Sequence, residues 1–167
     1  MASNQRSTIT MTPAEIAVYL EQQRTVTMAT NGPTGTPHLV AMWYAVLDGQ
    51  IWFETKARSQ KALNLRRDSR ITCMLEDGYT YDTLRGVSIE GRGTIVEDPA
   101  EIWKVGVNVW ERYTGPYTDE LQPFVEVMLR KRVAVRVDVD RVRSWDHRKL
   151  EMAPLELGGS TAAYLSS

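Results

Sequence analysis

Residues 54–70, ETKARSQKALNLRRDSR, lie between two apolar runs, QIWF and ITCML. Extended apolar chain gives way to a serine and a helix-forming stretch, then to extended chain again. The order is strand, short loop, helix, strand. From Lys56 to Arg70 there are six basic residues against one acidic residue, Asp68, in a chain whose net charge is only −1. That local surplus asks for a local partner. Ser59 stands where an N-cap belongs, and Lys61 falls in the first turn, where a cation opposes the helix dipole at a cost of about 0.3–1 kcal/mol. An anion held by the free N–H groups of the helix start reverses that sign. A solvated charged helix face is the competing reading of the same residues. Arg66 and Arg67, at the helix C-terminus, suit the dipole as they stand.

Working outward, a chain of 167 residues that is 43% hydrophobic and 25% charged has the size and composition of one globular domain. Near-neutral charge gives no general attraction to nucleic acid or acidic lipid, so neither is expected as a partner. No apolar run reaches the roughly 18 residues that a membrane span needs. The start, MASNQRSTITMTPAE, has no apolar core of a signal peptide. The single cysteine, Cys73, excludes an internal disulfide, fits a reducing compartment and reads, inside ITCML, as a small buried hydrophobe. Two histidines, His38 and His147, are too few for a histidine-rich zinc site, and no metal is expected. A cytoplasmic location is expected.

TPAEIAVYLEQQ predicts a helix over 12–23, with Thr12 as cap, Pro13 in the first turn and Glu15 completing a capping box. RTVTMAT and HLVAMWYAV flank the turn NGPTGTP as a hairpin, and Asp48-Gly49 leads into a third strand, QIWFET. The strand over 38–46 is apolar on both faces: Leu39, Ala41, Trp43 and Ala45 on one, Val40, Met42, Tyr44 and Val46 on the other. Both faces should therefore be covered, one by the core and the other by a partner subunit or a flat ligand. After the SQKALNLRRD helix come the strand RITCMLED and a long strand, TLRGVSIEGRGTIVED, with bends or bulges at Gly86, Gly91 and Gly93. PAEIWKVGVNVWERYTG and TDELQPFVEVMLRK read as helices weakened by Gly106 and Pro123. RVAVRVDVDRV puts Val133, Val135, Val137 and Val139 on one strand face, and RVRSWDHRKL can continue the sheet. About six or seven strands with few helices predict an α+β chain built on a small antiparallel barrel, one domain over 1–149. Residues 150–167 form a tail or an arm over a partner.

GTPHLVAMWYAVLDGQIWFETKARSQKALNLRRDSRITCMLED resembles the flavin-binding split β-barrel superfamily of pyridoxamine 5′-phosphate oxidase. YTYDTLRGVSIEGRGTIVEDP resembles the fifth strand of these barrels, and the similarity covers about residues 12–149. The order Thr55-x-x-x-Ser59-x-Lys61 matches the stretch with which such oxidases hold the phosphate of FMN. Two positions depart from them: Gln60 and Val40 stand where the oxidases carry arginine. KALNLRRD, from Lys61 to Asp68, is similar instead to the actinobacterial branch that uses coenzyme F420, a 5-deazaflavin with a phosphate and a polyglutamate tail. An extended anionic tail would give the surplus arginines a use.

The resemblance implies that Ser59 and Lys61 bind phosphate with help from Gln60. It implies that Val40, Ala41, Met42 and Trp43 line the ring, and that Glu54 and Thr55 touch it through backbone groups. It further implies a homodimer with cofactor sites at the interface, to which the second subunit brings Tyr79, Tyr81, Trp145 and Lys149. A core role competes for the three aromatics, and a plain surface charge for Lys149. The leading expectation is an F420H2-dependent reductase that moves a hydride to a small unsaturated acceptor such as an enone or quinone. An FMN-dependent oxidase or reductase of the same fold, or a protein that only binds the cofactor, is the alternative. No Ser/His/Asp or Cys/His set can be assembled, so no catalytic side chain is assigned. The proton for the reduced acceptor is left to solvent, Tyr44 or His38.

Overall fold

A computed structural model describes residues 5–165. The first four residues of the expected domain and the last two of the expected tail lie outside the described residues. A short helix α1 (Gln5–Ile9), which the sequence did not announce, precedes α2 (Pro13–Gln22). The capping box of α2 is present: Glu15 N donates to Thr12 Oγ1 at 3.3 Å, and Thr12 N donates to the Glu15 carboxylate at 2.6 Å. Tyr19 and Leu20 are its buried side.

Seven strands form one antiparallel sheet: β1 (Val26–Asn31), β2 (Pro37–Met42), β3 (Ala45–Leu47), β4 (Gln50–Lys56), β5 (Arg70–Asp77), β6 (Arg85–Val96) and β7 (Arg132–Asp146). Their spatial order is β2-β1-β5-β6-β7-β4-β3. The two edge strands, β2 and β3, are joined by Trp43 and Tyr44 alone. Laid flat, strand spacings of about 4.8 Å would part those edges by roughly 29 Å. Three Cα–Cα steps reach only about 11 Å. The sheet must curl until its edges meet, which makes the α+β split barrel that the sequence predicts.

That closure also corrects one expectation. Residues 38–46 are two strands rather than one, because Met42 pairs with Val26 while Ala45 pairs with Trp52 on the opposite edge. Trp43 and Tyr44 turn the corner between them. Along β2, Val40 and Met42 pack against the core, whereas Leu39 and Ala41 are exposed. One of its two apolar faces is therefore covered within the chain and the other is bare.

The barrel interior is filled from alternate positions, among them Met28, Phe53, Cys73, Val87 and Val135, each fully buried. A second cluster lies outside the barrel wall, where Val105 and Val109 of α4 (Pro99–Tyr113) cover Ala45, Trp52 and Ala134. This cover explains why Ala134 is as buried as its neighbours Val133 and Val135. The helix α5 (Gln122–Leu129) starts with Pro123 in its first turn, where no N–H is needed. Gly106 is what lets α5 approach α4, since a Cβ there would lie 2.6 Å from Leu129 Cδ1. β7 does continue through SWD, so it and β6 form the longest ladder. The expected valine face is buried only as far as Val137; Val139 is exposed, and just beyond it Asp140 is extra in a bulge facing Glu90 and Gly91. Of the expected tail, 150–167, Leu150 is half-buried at the end of a short 3-10 turn, and residues 151–165 are exposed except at Ala162.

Cys73 has no exposed surface, and burial pushes its thiol up to about 12. Iodoacetamide at pH 8 is expected to leave it unmodified in the folded protein and to label it fully in denaturant. Rapid labelling of folded protein, read by mass spectrometry, would contradict this packing.

Candidate functional site

The loop after β4 is built to present the start of α3 (Gln60–Arg67). Ser59 caps the helix: its Oγ accepts from Ala62 N at 3.4 Å and lies 3.0 Å from Thr55 Oγ1 on the strand. Asn64, wholly buried, donates to Thr30 Oγ1 at 3.0 Å and accepts from Gln60 Nε2 at 2.8 Å. Leu65 packs over Gly93, where a Cβ would fall 2.8 Å from its methyl. Asn64 and Leu65 thus anchor the helix to the barrel wall and fix where its N-terminus points. Lys56 and Ala57 fasten the loop to the start of β7, through Lys56 Nζ to Arg130 O and Ala57 N to Lys131 O, both at 2.9 Å.

The basic surplus then resolves residue by residue. Lys56 holds Arg130 O, and Arg66 donates to Ala57 O and pairs with Glu97 at 2.6 Å. Arg67 donates to Asn31 O, and Arg70 pairs with Asp68. These three arginines are thus engaged within the chain. Among the described residues Arg58 and Lys61 have no hydrogen bond or ion pair. Lys61 is half-buried, and burial, then the charge of Arg132, holds its ammonium below the ordinary lysine range.

On β4, Glu54 is only 7% exposed. Its Oε1 lies 3.6 Å from Arg132 Nη1, and its Oε2 is buried with no hydrogen-bond partner. Burial raises this carboxyl, with Arg132 and Lys56 pulling the other way. Arg132 is a neighbour of this buried carboxylate that sequence reasoning missed. No local signal marks it, since only the β4–β7 pairing brings it to Glu54.

The four residues expected to line a ring divide by direction. Val40 and Met42 face the core, while Ala41 is exposed and Trp43 is 59% exposed. Trp43 stacks on Tyr113 at 4.5 Å between centroids and 6° between planes. β2 pairs with β1 alone, so its far edge keeps backbone N–H and C=O groups free of any ladder. Tyr44 is wholly buried, with its hydroxyl 2.6 Å from Leu20 O and 2.9 Å from Gln23 O, and burial raises it well above the usual tyrosine value. It is not placed to give a proton to a bound substrate. His38 is half-buried, with Nδ1 shielded and unpartnered.

The other four expected residues lie elsewhere. Tyr79 and Tyr81 are exposed in the β5–β6 turn, and the Tyr81 ring meets His147 edge-on at 4.4 Å. Trp145 lies across Gly86, where a Cβ would come within 2.2 Å of its ring. Lys149 donates to Thr10 O at 2.8 Å and to Glu15 at 2.7 Å, and it is the main cause that holds the Glu15 carboxyl down at about 2. Thr55 is opposite Val133 and Gly86 opposite Trp145, so the two groups flank opposite ends of β7. Twelve residues of strand separate those ends, about 40 Å of extended chain. A cleft of about 980 Å³ lies at the far end, between α2 and Arg85, and its charged walls are paired, Arg85 with Asp77 and Arg148 with Asp146. Among the described residues no helix is long and apolar enough to cross a membrane.

A curled seven-stranded sheet closed at a two-residue corner, with a capped helix start after the strand that follows, defines a split barrel of the flavin-binding type. The family described as pyridoxamine 5′-phosphate oxidase matches residues 12–146, and the chain belongs to that family. No curated protein matches it. Among solved structures it is similar to conserved hypothetical protein Rv2991 from Mycobacterium tuberculosis, with 62% identity, 95% of this chain and 99% of that one covered, and a TM-score of 0.93. It is similar to an F420 reductase at 27% identity, covering 74% of this chain and 91% of that one, with a TM-score of 0.57. A putative 5-nitroimidazole antibiotic resistance protein from Bacteroides thetaiotaomicron shares the fold at 17% identity, with 81% and 85% covered and a TM-score of 0.66.

Proposed function

We propose that the protein binds coenzyme F420 as a homodimer and uses its reduced form to reduce a small unsaturated acceptor. Lys61 carries the reading. It is a half-buried cation without a partner, in the first turn of a helix whose cap is tied to the preceding strand. Ser59 and Lys61 hold the phosphate there, and the open edge of β2 next to Trp43 meets the ring. Gln60, bonded to Asn64, is neutral at a position where the resemblance puts an arginine in the FMN oxidases, which supports F420 over FMN. The likeness to an F420 reductase at 27% identity supports it too.

The reduced deazaflavin supplies the hydride when bound. The chain's own residues bind, orient and exclude water. The proton comes from solvent or from His38. Tyr79, Tyr81 and Trp145 serve a ring held by the other copy, since within one chain they flank the opposite end of β7. The bare outward row of β2, β1 and β5, in which Ala41, Thr27 and Met74 lie side by side, is the face a second copy covers.

Titrating the protein with oxidised F420 and with FMN tests this, with fluorescence as the readout and sedimentation giving the size. The expected result is tight F420 binding by a species of twice 19.0 kDa. FMN binding without an F420 response would reassign the cofactor, and a monomer at saturation would remove the two-copy site. F420H2 that is bound but never oxidised across enones and quinones would leave a cofactor-binding protein.

A further inference from the structure

Lys61 has a cationic neighbour that the phosphate motif does not contain. Arg132 opens β7 and pairs with Lys56 across the ladder, so its side chain leaves the same sheet face as Lys56 and Glu54. The loop that carries Ser59 is fastened to this turn by Lys56 and Ala57. Arg132 Nε donates to Met128 O at 2.7 Å, which fixes the plane of the guanidinium. Its Nη1 stands 3.6 Å from Glu54 Oε1, too far for a hydrogen bond. The guanidinium therefore keeps donors unspent while the buried Glu54 Oε2 finds no partner. Its charge also reaches Lys61, adding to burial in lowering that ammonium. Ser59 N donates to Lys56 O at 2.9 Å, which ties the helix cap to the residue opposite Arg132, and like charges that meet there repel unless an anion stands between them.

We propose that Arg132 is the second cation of the anion site, that it binds the cofactor's phosphate together with Lys61, and that Glu54 and the Met128 carbonyl position it. This rests on the reading of Lys61 as the phosphate ligand. Arginine adds what lysine lacks, a planar fork that fits two phosphate oxygens at once. Glu54 offsets the guanidinium charge on one side, while its remaining donors stay free.

The ratio of FMN affinity to riboflavin affinity isolates the phosphate, because both ligands share the ring. Arg132→Gln is expected to lower that ratio about tenfold or more with riboflavin affinity unchanged, and Arg132→Lys to recover part of the loss. Glu54→Gln is expected to lower the ratio by a smaller factor, since it loosens the guanidinium without removing it. Stability of each variant is read without ligand. Should Arg132→Gln not fold, the intermediate ratio of Arg132→Lys decides. Thermal stabilisation by inorganic phosphate is a second readout that needs no ring: wild type should gain, and Arg132→Gln should not. An unchanged ratio in Arg132→Gln, while Lys61→Ala loses it, would overturn the inference and leave the cofactor reading standing. Wild type that binds neither F420 nor a flavin yet loses its phosphate response in Arg132→Gln would do the reverse. A wild type indifferent to F420, to both flavins and to phosphate sinks both.

Discussion

Lys61→Glu is expected to abolish cofactor binding while making the empty protein slightly more stable. The two signs come from one position. A carboxylate in the first turn of α3 agrees with the helix dipole, worth about 0.3–1 kcal/mol, where the lysine opposes it. The lysine carries a second cost. Burial and Arg132 put its folded-state pKa below the unfolded one, so the protonated form weakens folding at neutral pH. That cost is relieved only as pH rises through the lowered folded value. Removing the cation therefore helps the empty fold. For a phosphate ligand the effect reverses, since a charge-assisted hydrogen bond worth about 1.5–3 kcal/mol is lost and a repulsive charge replaces it. Affinity for F420 or FMN should fall by about a hundredfold or more. Lys61→Ala should lose about tenfold with a smaller rise in melting temperature, since it removes the cation without adding a favourable charge. If stability and affinity both fell, Lys61 would be a structural residue. A more stable variant that still bound cofactor would place the site elsewhere.

How much of this was legible in the sequence depended on range. Periodicity and turns marked the strands well, because each depends on residues within a few positions. The capping box of α2, the Ser59 cap and the bulge at Gly91 could all be read locally. Closure could not. The apolar stretch 38–46 reads as one strand, and only the pairing of Met42 with Val26 and of Ala45 with Trp52 shows that it must break. The charges of 56–70 were countable, but their partners were not. Asn31, Glu97 and Arg130 are brought to them by folding, and they absorb most of the surplus. Lys61 became the informative cation by being unpaired and half-buried at once, where Arg58 is unpaired but exposed. Arg132 was invisible for the same reason, being 71 residues further along the chain. Lys149 was legible as a charge and not as the partner of Glu15.

Tyr44→Ala is expected to cost about 3–5 kcal/mol, since it empties the space of a large, wholly buried side chain. Against a total stability of about 5–15 kcal/mol, that lowers the melting temperature by roughly 10 °C in a chain of this size. The residue holds three elements together. Its hydroxyl reaches the carbonyls of Leu20 and Gln23 at the end of α2, and its ring lies 4.7 Å from the Arg112 guanidinium of α4. Its own backbone is gripped by Tyr113, whose hydroxyl accepts from Tyr44 N at 3.0 Å and donates to Tyr44 O at 3.2 Å. Tyr113 in turn stacks on Trp43, so the corner that closes the barrel and the expected wall of the ring site share one support. Tyr44→Phe should be mild, about 1 kcal/mol, because Arg112 Nη2 still donates to both carbonyls at 3.2 and 3.0 Å. The pair of variants also separates support from chemistry. Tyr44→Ala should weaken cofactor binding by loosening Trp43, whereas Tyr44→Phe should keep full binding and full turnover. If Tyr44→Phe bound cofactor normally and lost turnover, the hydroxyl would be the proton donor despite its burial. If Tyr44→Ala melted with wild type, the corner would not be what closes the barrel.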